Sequence, residues 1–304
     1  MINNKSALNE ITPYVYGTTR LGDAKIPREE RIKIAHAAMN SGIWFHTSRM
    51  YDDALEVLGE AFAQEPTKIP KLIIKIGWDN VNQLRGVIKE NLDPLGLKGM
   101  EIGQLCLGGE LADAFANGGN CYKVFQDLKD EGLINGYVVE AFPWTSEPVL
   151  KALQGGFTEG IIDGFTFYLN PLQRFASNAL WDEILKRNKP IVALRTVSGG
   201  PVHNLRDVPG FAWKDYLQKR AVEIAPIFEK SGIENWTEFC IRFVHSYPIV
   251  KSTVGSTSRI ENLNDFLLFQ NNYNPLPENI VEEIESLQQK WSDELDIHAE
   301  PWTM

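Results

Sequence analysis

Three titratable side chains lie at or just after two short apolar segments near the start of the chain. Lys75 interrupts the run Leu72–Ile76, where a charge is costly unless it is paired or used. His46 is close to the end of the run Ile43–Thr47, and Tyr51 follows it. An imidazole titrates near pH 7 and a phenol can donate a proton, so one hypothesis is that Lys75 and His46 belong to a catalytic site, which Tyr51 could join. The alternatives are a space-filling histidine, a lysine that reaches solvent and a tyrosine that only packs.

Two further charges occupy the ends of later apolar segments. Glu140 follows Gly136–Val139, and Arg195 follows Ile191–Leu194. One interpretation is a salt bridge between these two residues. The other is a polar pocket that they form with Lys75 and His46, suited to an anionic or polyhydroxylated ligand, with Glu140 available for acid–base chemistry. Trp78 either lines a substrate wall or covers the rim of the fold.

Short β-rich runs alternate along the chain with amphipathic helical segments. This rhythm predicts a parallel sheet with helical crossovers, in about eight units. The predicted strands are Tyr14–Thr18, Ile43–Thr47, Leu72–Ile76, Ile102–Leu107, Gly136–Val139, Gly164–Tyr168, Ile191–Leu194 and Ile249–Val254. Most are continuously apolar, as strands buried on both faces should be.

The helical segments carry recognisable start and stop signals. The first begins after Pro27 with two acidic residues and ends at Ser41-Gly42, and an apolar stripe of Leu55, Leu58 and Phe62 marks the second. Further helices are predicted at Val81–Leu95, Cys121–Asp130, Ser146–Leu153, Trp181–Arg187, Lys214–Lys230, Trp236–His245 and Glu278–Trp291. Two regions exceed a minimal barrel: the loop Ser198–Phe211 and the tail beyond Pro277.

Composition excludes several classes of function. The net charge of −10, without any basic block, argues against nucleic acid or an anionic membrane as a partner. No apolar run approaches the roughly 20 residues that span a bilayer. The three cysteines, Cys106, Cys121 and Cys240, lack the paired spacing of a zinc or redox site, and the histidines lack metal-ligand spacing. We expect a cytoplasmic protein that acts on a small molecule and binds no metal.

Six local motifs, in the right order, resemble the aldo-keto reductase superfamily over nearly the whole chain. They are Tyr16–Gly22, Gly42–Tyr51, Lys71–Gly77, Asp130–Ile134, Tyr168–Leu172 and Val254–Arg259. The resemblance implies a single (β/α)8 TIM barrel over residues 1–304, with extended βα loops and a C-terminal helix and tail. It also implies reduction of a carbonyl or sugar-like substrate with NADP(H).

The resemblance implies roles for individual residues. Tyr51 matches the family's proton donor and Lys75 its lysine, whereas the aspartate position reads His46 and the histidine position reads Gly108. Gly108, Trp78 and Arg195 would face the substrate. With His46 in place of aspartate, Lys75 either has a lowered pKa or finds a carboxylate elsewhere.

The cofactor positions that the resemblance implies are matched unevenly. Glu140-Ala141, Thr166 and Leu194 stand where the family holds and stacks the nicotinamide. At the other end, Gly255, Ser256, Thr257 and Ser258 follow a strand and could present amides and hydroxyls to an anion, and Arg259 could pair with a phosphate.

Three functions remain open from the sequence. The first is an NADP-dependent oxidoreductase with Tyr51 as proton donor, assisted by Lys75 and His46. The second is a non-redox lyase, isomerase or hydrolase that uses His46, Tyr51, Lys75 and Glu140 as acid–base groups. The third is a non-catalytic protein that keeps the barrel to bind a ligand.

Overall fold

Eight parallel strands close into a barrel in the computed structural model, which describes residues 6–77, 80–197, 214–271 and 273–294. The strands are β1 Tyr14–Gly17, β2 Trp44–Thr47, β3 Leu72–Ile76, β4 Met100–Cys106, β5 Ile134–Glu140, β6 Gly164–Asn170, β7 Ile191–Leu194 and β8 Val250–Ser256. Each strand pairs with the next, and β8 pairs with β1, which closes the sheet. The predicted TIM barrel is confirmed.

Helices separate the strands and cover the outside of the barrel. They are α1 Arg28–Asn40, α2 Ala54–Gln64, α3 Leu84–Leu95, α4 Gly109–Ala116, α5 Cys121–Asp130, α6 Ser146–Gln154, α7 Asn178–Lys186, α8 Lys214–Lys230, α9 Trp236–Val244, α10 Ile260–Asn271 and α11 Glu278–Asp293. All the predicted helices form, with small shifts at their ends. The sequence analysis missed α4 and α10. Helix α4 begins at Gly108-Gly109, a pair typical of a turn. In α10 the exposed Leu268 interrupts the pattern of one apolar and one polar face.

Local signals explain where the first helices begin and end. Glu29 and Glu30 lie in the first turn of α1, where negative charge is favourable, and Gly42 leaves the helix with a φ of +67°. In α2 the predicted stripe of Leu55, Leu58 and Phe62 is buried. These stripes face the strands and build the large outer core between sheet and helices.

A separate apolar cluster fills the inside of the barrel. Its strand residues are Val15, Trp44, Ile73, Ile102, Val138, Val192 and Val254, with Tyr168 and Leu194 further along. Successive side chains of a strand point to opposite faces, so the residues two positions later also point inward. That rule places His46, Lys75, Gln104 and Glu140 in one polar layer nearer the carboxyl ends of the strands, where barrel enzymes carry their active sites.

A single turn closes the opposite end of the barrel. Residues Ala7–Glu10 form a 3₁₀ turn whose Leu8 is buried among the interior residues. The Ala7 amide donates to Asp163 Oδ1 at 3.2 Å. Gly164 permits this approach, since a Cβ there would lie 2.8 Å from Leu8 Cδ1. Leu8, with Ala7 and Ile11, therefore packs against the apolar interior at the bottom of the barrel.

Some predicted features lie outside the described residues: Trp78, the loop Ser198–Phe211, and the histidines His203 and His298. Within the described ranges, no group of three or more His, Cys, Asp or Glu side chains could hold a metal ion. No helix in those ranges is long and apolar enough to cross a bilayer.

Candidate active site

A buried ion pair joins the carboxyl ends of β3 and β5. Lys75 Nζ lies 3.1 Å from both Glu140 Oε1 and Oε2, and the two side chains are only 2% and 1% exposed. Burial alone would lower the pKa of Lys75 and raise that of Glu140. Burial is the largest single influence on each group, but the partner's charge and the other neighbouring groups together outweigh it, so the pKa of Lys75 is raised and that of Glu140 is lowered. We had expected Lys75 either to have a lowered pKa or to pair with a carboxylate from another strand, and the structure shows the second arrangement, with Glu140.

Cys106 belongs to the same cluster. Its thiol donates to Glu140 Oε2 at 3.0 Å, and burial together with the nearby carboxylate raises its pKa well above the ordinary value. β4 ends at Cys106, so this side chain reaches the site, whereas Gly108 lies two residues further on and precedes α4. This position could have been predicted from the sequence, because Ile102, Gln104 and Cys106 alternate along one strand and share its inward face.

His46 occupies the polar layer as a neutral imidazole. Burial, followed by the Lys75 charge, lowers its pKa from 6.5 to about 4, which corrects our expectation of a group that titrates near pH 7. Its Nε2 bonds Gln104 Oε1 at 2.9 Å. Gln104 was missed from sequence; it is buried, and its side chain is among the hydrogen-bonding groups that lower the pKa of Glu140. Gln104 therefore links His46 to the ion pair.

Tyr51 lies half-buried in the turn that follows β2. Its ring centroid is 6.1 Å from that of His46. Burial raises the pKa of the phenol and Lys75 opposes this, with a net rise, so Tyr51 is a neutral hydroxyl that can donate a proton. Gly22 packs directly against this turn, since a Cβ at Gly22 would lie 2.0 Å from the Tyr51 carbonyl oxygen. Asp53 in the same turn is held by Arg31 Nη1 at 2.5 Å.

Arg195 lies at the end of β7 and stacks on an aromatic ring. Its Cζ is 4.7 Å from the ring centroid of Tyr168. Burial raises the pKa of Tyr168, and Arg195 and then Lys75 partly offset the rise, so this phenol stays neutral between two cations. The predicted alternative of a Glu140–Arg195 salt bridge is wrong, because the Glu140 carboxylate takes Lys75 as its partner.

Most residues at the nicotinamide positions that the resemblance implies bond to other groups of the protein. Thr166 Oγ1 donates to the Val192 carbonyl at 2.7 Å, and Leu194 offers no aromatic face. Ala141 is buried, and its amide donates to Thr166 O at 2.9 Å. Glu140 is held by Lys75. These residues do not reproduce the amide grips and ring stacking that the resemblance implied.

The turn after β8 suits an anion better, and its own contacts explain part of its sequence. Gly255 is required by packing, since a Cβ would lie 2.6 Å from the Phe266 ring. Thr257 Oγ1 accepts the Arg259 amide at 3.1 Å. Ser256 Oγ accepts the Arg20 amide at 3.0 Å, which leaves the hydroxyl proton able to donate. Ser256 and Ser258 are half-buried and Arg259 is exposed, so these three fit the phosphate end of a nucleotide.

Four aromatic rings, Phe142, Trp144, Tyr168 and Phe175, form a cluster beside the ends of β5 and β6. Phe142 and Trp144 stack in parallel with centroids 5.0 Å apart, and Tyr168 stacks on Phe175 at 5.6 Å. The two pairs meet edge to face, with Phe142 5.6 Å from Tyr168. Phe142 and Trp144 are half-buried, so this aromatic cluster is partly open to solvent.

Comparison with solved structures identifies the fold. The chain is similar to an aldo-keto reductase from Bacillus halodurans in its holo form, with 17% identity, a TM-score of 0.68, and coverage of 91% of this chain and 92% of that one. It is similar to a thermostable aldo-keto reductase bound to the inhibitor epalrestat, with 16% identity, a TM-score of 0.67, and coverage of 91% and 95%. An aldo/keto reductase from Klebsiella pneumoniae, in complex with NADP and acetate, matches at 16% identity, a TM-score of 0.66, and coverage of 92% of both chains.

No family model and no curated protein matches the sequence. The structural matches nevertheless span more than nine tenths of the chain. The chain therefore has the aldo-keto reductase barrel fold, as the six motifs predicted.

Proposed function

We propose that this protein is an NADP(H)-dependent oxidoreductase that reduces a carbonyl or sugar-like substrate, with Tyr51 as the proton donor. The observation that carries the proposal is the buried Lys75–Glu140 ion pair in the same polar layer as His46, whose ring centroid lies 6.1 Å from that of Tyr51. A site that had only decayed would have no reason to keep a buried lysine charged, because an unpaired charge there is costly.

The proton-donating chemistry follows from these charges. As the substrate carbonyl oxygen gains negative charge, the neutral Tyr51 hydroxyl donates its proton to it. The Lys75 ammonium then stabilises the resulting phenolate. Glu140 keeps Lys75 protonated and in place. His46, neutral and bonded to Gln104, helps to position this group, in place of the acid–base role we first assigned to it.

The β8 turn would hold the cofactor by its phosphates. Ser256, Ser258 and Arg259 are the residues that would contact them, while Gly255 and Thr257 shape the turn. The bound nicotinamide would supply the hydride. We include NADP(H) in the proposal on two grounds: the anion-compatible turn, and the holo and NADP-bound states of proteins with this fold.

The test is a fluorescence titration with NADPH and with NADH, followed by turnover of a panel of aldehydes and ketosugars. We expect NADPH binding and NADPH-dependent reduction. Tyr51→Phe should keep nucleotide binding and lose about 10²- to 10⁴-fold in kcat. Tyr273→Phe, at an exposed tyrosine remote from the site, is the matched control and should behave as wild type. Absence of nucleotide binding at millimolar concentration would rule out the oxidoreductase.

A second candidate is a non-redox acid–base enzyme on the same barrel. It is favoured by one observation: Thr166 and Leu194 lack the nicotinamide contacts, and Glu140 stands among those positions. This candidate predicts turnover without nucleotide that still depends on Tyr51 and Lys75. A ligand-binding protein without catalysis would show neither NADPH-dependent reduction nor turnover in the absence of nucleotide.

Our proposal places the protein in a reducing cytoplasm. Cys106, Cys121 and Cys240 are all buried and no disulfide joins them, as expected for a chain that is not exposed to oxidising conditions. A small-molecule substrate is the partner that the site fits.

A further inference from the structure

Two tyrosines of the first strand hold the turn that follows β8. The Tyr16 hydroxyl donates to the Thr257 carbonyl at 2.6 Å, and the Tyr14 hydroxyl donates to the Gly255 carbonyl at 2.9 Å. Both tyrosines are buried in the outer core between the sheet and the helices. Burial raises the pKa of both phenols, so each hydroxyl keeps the proton that it donates.

The bond from Tyr16 constrains the turn more than the bond from Tyr14. Gly255 lies within β8 and pairs with β1 in the parallel sheet, so the strand itself already fixes its peptide. Thr257 lies beyond the end of β8. Among the described residues, the Tyr16 hydroxyl is the only donor to the Thr257 carbonyl. A buried carbonyl without a partner is costly, so this one bond determines how the peptide is oriented.

The orientation of that peptide sets the direction of the next amide. A peptide unit is planar and trans, so the N–H of Ser258 points opposite to the C=O of Thr257. Since the carbonyl is directed at Tyr16 and the outer core, the Ser258 amide is directed away from them. Ser258 is half-buried, and in the part of the chain that the structure describes its amide donates to no other group.

The contacts on either side of this peptide hold it still. The Tyr16 ring meets the buried Phe45 ring edge to face, with centroids 5.1 Å apart, so the hydroxyl has a fixed position. On the other side, Thr257 Oγ1 accepts the Arg259 amide at 3.1 Å. The Ser258 amide therefore lies between two fixed points, and its direction is set before a ligand binds.

We propose that Tyr16 is a positioning residue of the phosphate site in the turn after β8: its hydroxyl holds the Thr257–Ser258 peptide so that the Ser258 amide faces the anion. This inference rests on the proposed function for the nucleotide, but not for the anion. Tyr16 does not touch the ligand and acts through the Thr257 carbonyl. The first strand is thus part of the binding site, although this side chain lies in the outer core.

The test measures phosphate binding and stability in matched variants. Tyr16→Phe keeps the ring and removes the hydroxyl, and it should weaken calorimetric binding of NADPH, 2′,5′-ADP and inorganic phosphate about 3- to 10-fold. Tyr137→Phe is the control, because Tyr137 is also fully buried and its hydroxyl donates at 2.9 Å to the Phe125 carbonyl, on another side of the barrel. Both variants lose one buried hydrogen bond and should lose similar stability in urea, but Tyr137→Phe should bind phosphate as wild type.

A second arm separates the Ser258 amide from the Ser258 hydroxyl. Ser258→Ala removes the hydroxyl and keeps the amide. Tyr16→Phe should therefore weaken phosphate binding by the same factor in the Ser258→Ala background as in the wild type. If Tyr16→Phe has no effect in that background, the amide is not the group that Tyr16 positions, and the inference is overturned.

The outcomes also separate this inference from the proposed function. Phosphate binding that depends on Tyr16, in a protein that does not bind NADPH, refutes the cofactor proposal and supports the positioning role. NADPH binding that is unchanged in Tyr16→Phe supports the cofactor and overturns the positioning role. Equal losses of affinity in Tyr16→Phe and Tyr137→Phe also overturn it, because they reflect general destabilisation. If the wild type binds neither NADPH nor phosphate, both proposals are wrong.

Discussion

The two sides of the barrel mouth satisfy their polar groups in different ways. At the ends of β3, β4 and β5, the side chains of Lys75, Cys106 and Glu140 satisfy one another in a buried cluster. At the end of β8, Ser256 and Thr257 bond to backbone groups of the protein, while Arg259 is exposed. The side chains of the proposed proton-donating side are therefore held by one another, whereas those of the proposed anion side are held by backbone amides or reach solvent.

This difference bears on how the site departs from the family it resembles. The resemblance places the partner of the lysine on the second strand, but that position holds His46. The structure supplies the carboxylate from β5 instead, at 3.1 Å from Lys75. The charge of the pair is kept although its position in the chain has changed. Residues that must balance a buried charge are constrained more strongly than residues that meet solvent.

Removing the carboxylate should have the largest effect on the buried side. We expect Glu140→Gln to lower the free energy of unfolding by about 3–5 kcal/mol, because it leaves Lys75 buried without a counter-charge. Urea unfolding at pH 7.5 measures this. The double variant Lys75→Met with Glu140→Gln is the control, and it should be more stable than Glu140→Gln alone. A Glu140→Gln protein as stable as wild type would show that the pair is not needed.

The neutral state of His46 makes a smaller, pH-dependent contribution on the same side. Its pKa is about 4 in the fold against 6.5 for an ordinary histidine, so on acidification the unfolded chain takes up the proton first. The free energy of unfolding is therefore unaffected by His46 above about pH 6.5. It decreases as the pH falls from 6.5 toward 4, by at most about 3 kcal/mol. Urea unfolding at pH 7.5 and pH 5 should show a smaller loss in His46→Gln than in wild type. An equal loss in both proteins would contradict a buried neutral imidazole.

The anion side should show the smallest effect on the protein itself. Arg259→Ala should leave the free energy of unfolding within about 0.5 kcal/mol of wild type, because the side chain is exposed. It should weaken NADPH binding about 5- to 10-fold, and the difference should shrink as salt is raised. The comparison between the two sides breaks down if Arg259→Ala destabilises the fold as much as Glu140→Gln.

The sequence predicted the strands well because buried parallel strands are short, apolar and separated by helices. Leu72–Ile76 and Ile191–Leu194 were predicted with the observed ends. It also placed Lys75 and Glu140 at the catalytic face. Their pairing was not predicted, because a strand pattern gives the face of a side chain and not its distance from another strand. The position of Cys106 in the cluster was not predicted either, because its two apolar neighbours, Leu105 and Leu107, conceal its inward direction.

The most direct test of the account moves the carboxylate back to the second strand. Glu140→Ser alone should reduce kcat/KM for NADPH-dependent carbonyl reduction by about 100-fold, since Lys75 loses its counter-charge. Adding His46→Asp should restore at least about tenfold of that loss, because the aspartate can pair with Lys75 from β2. If the folded double variant is no more active than Glu140→Ser, Glu140 has another role and the central claim is wrong.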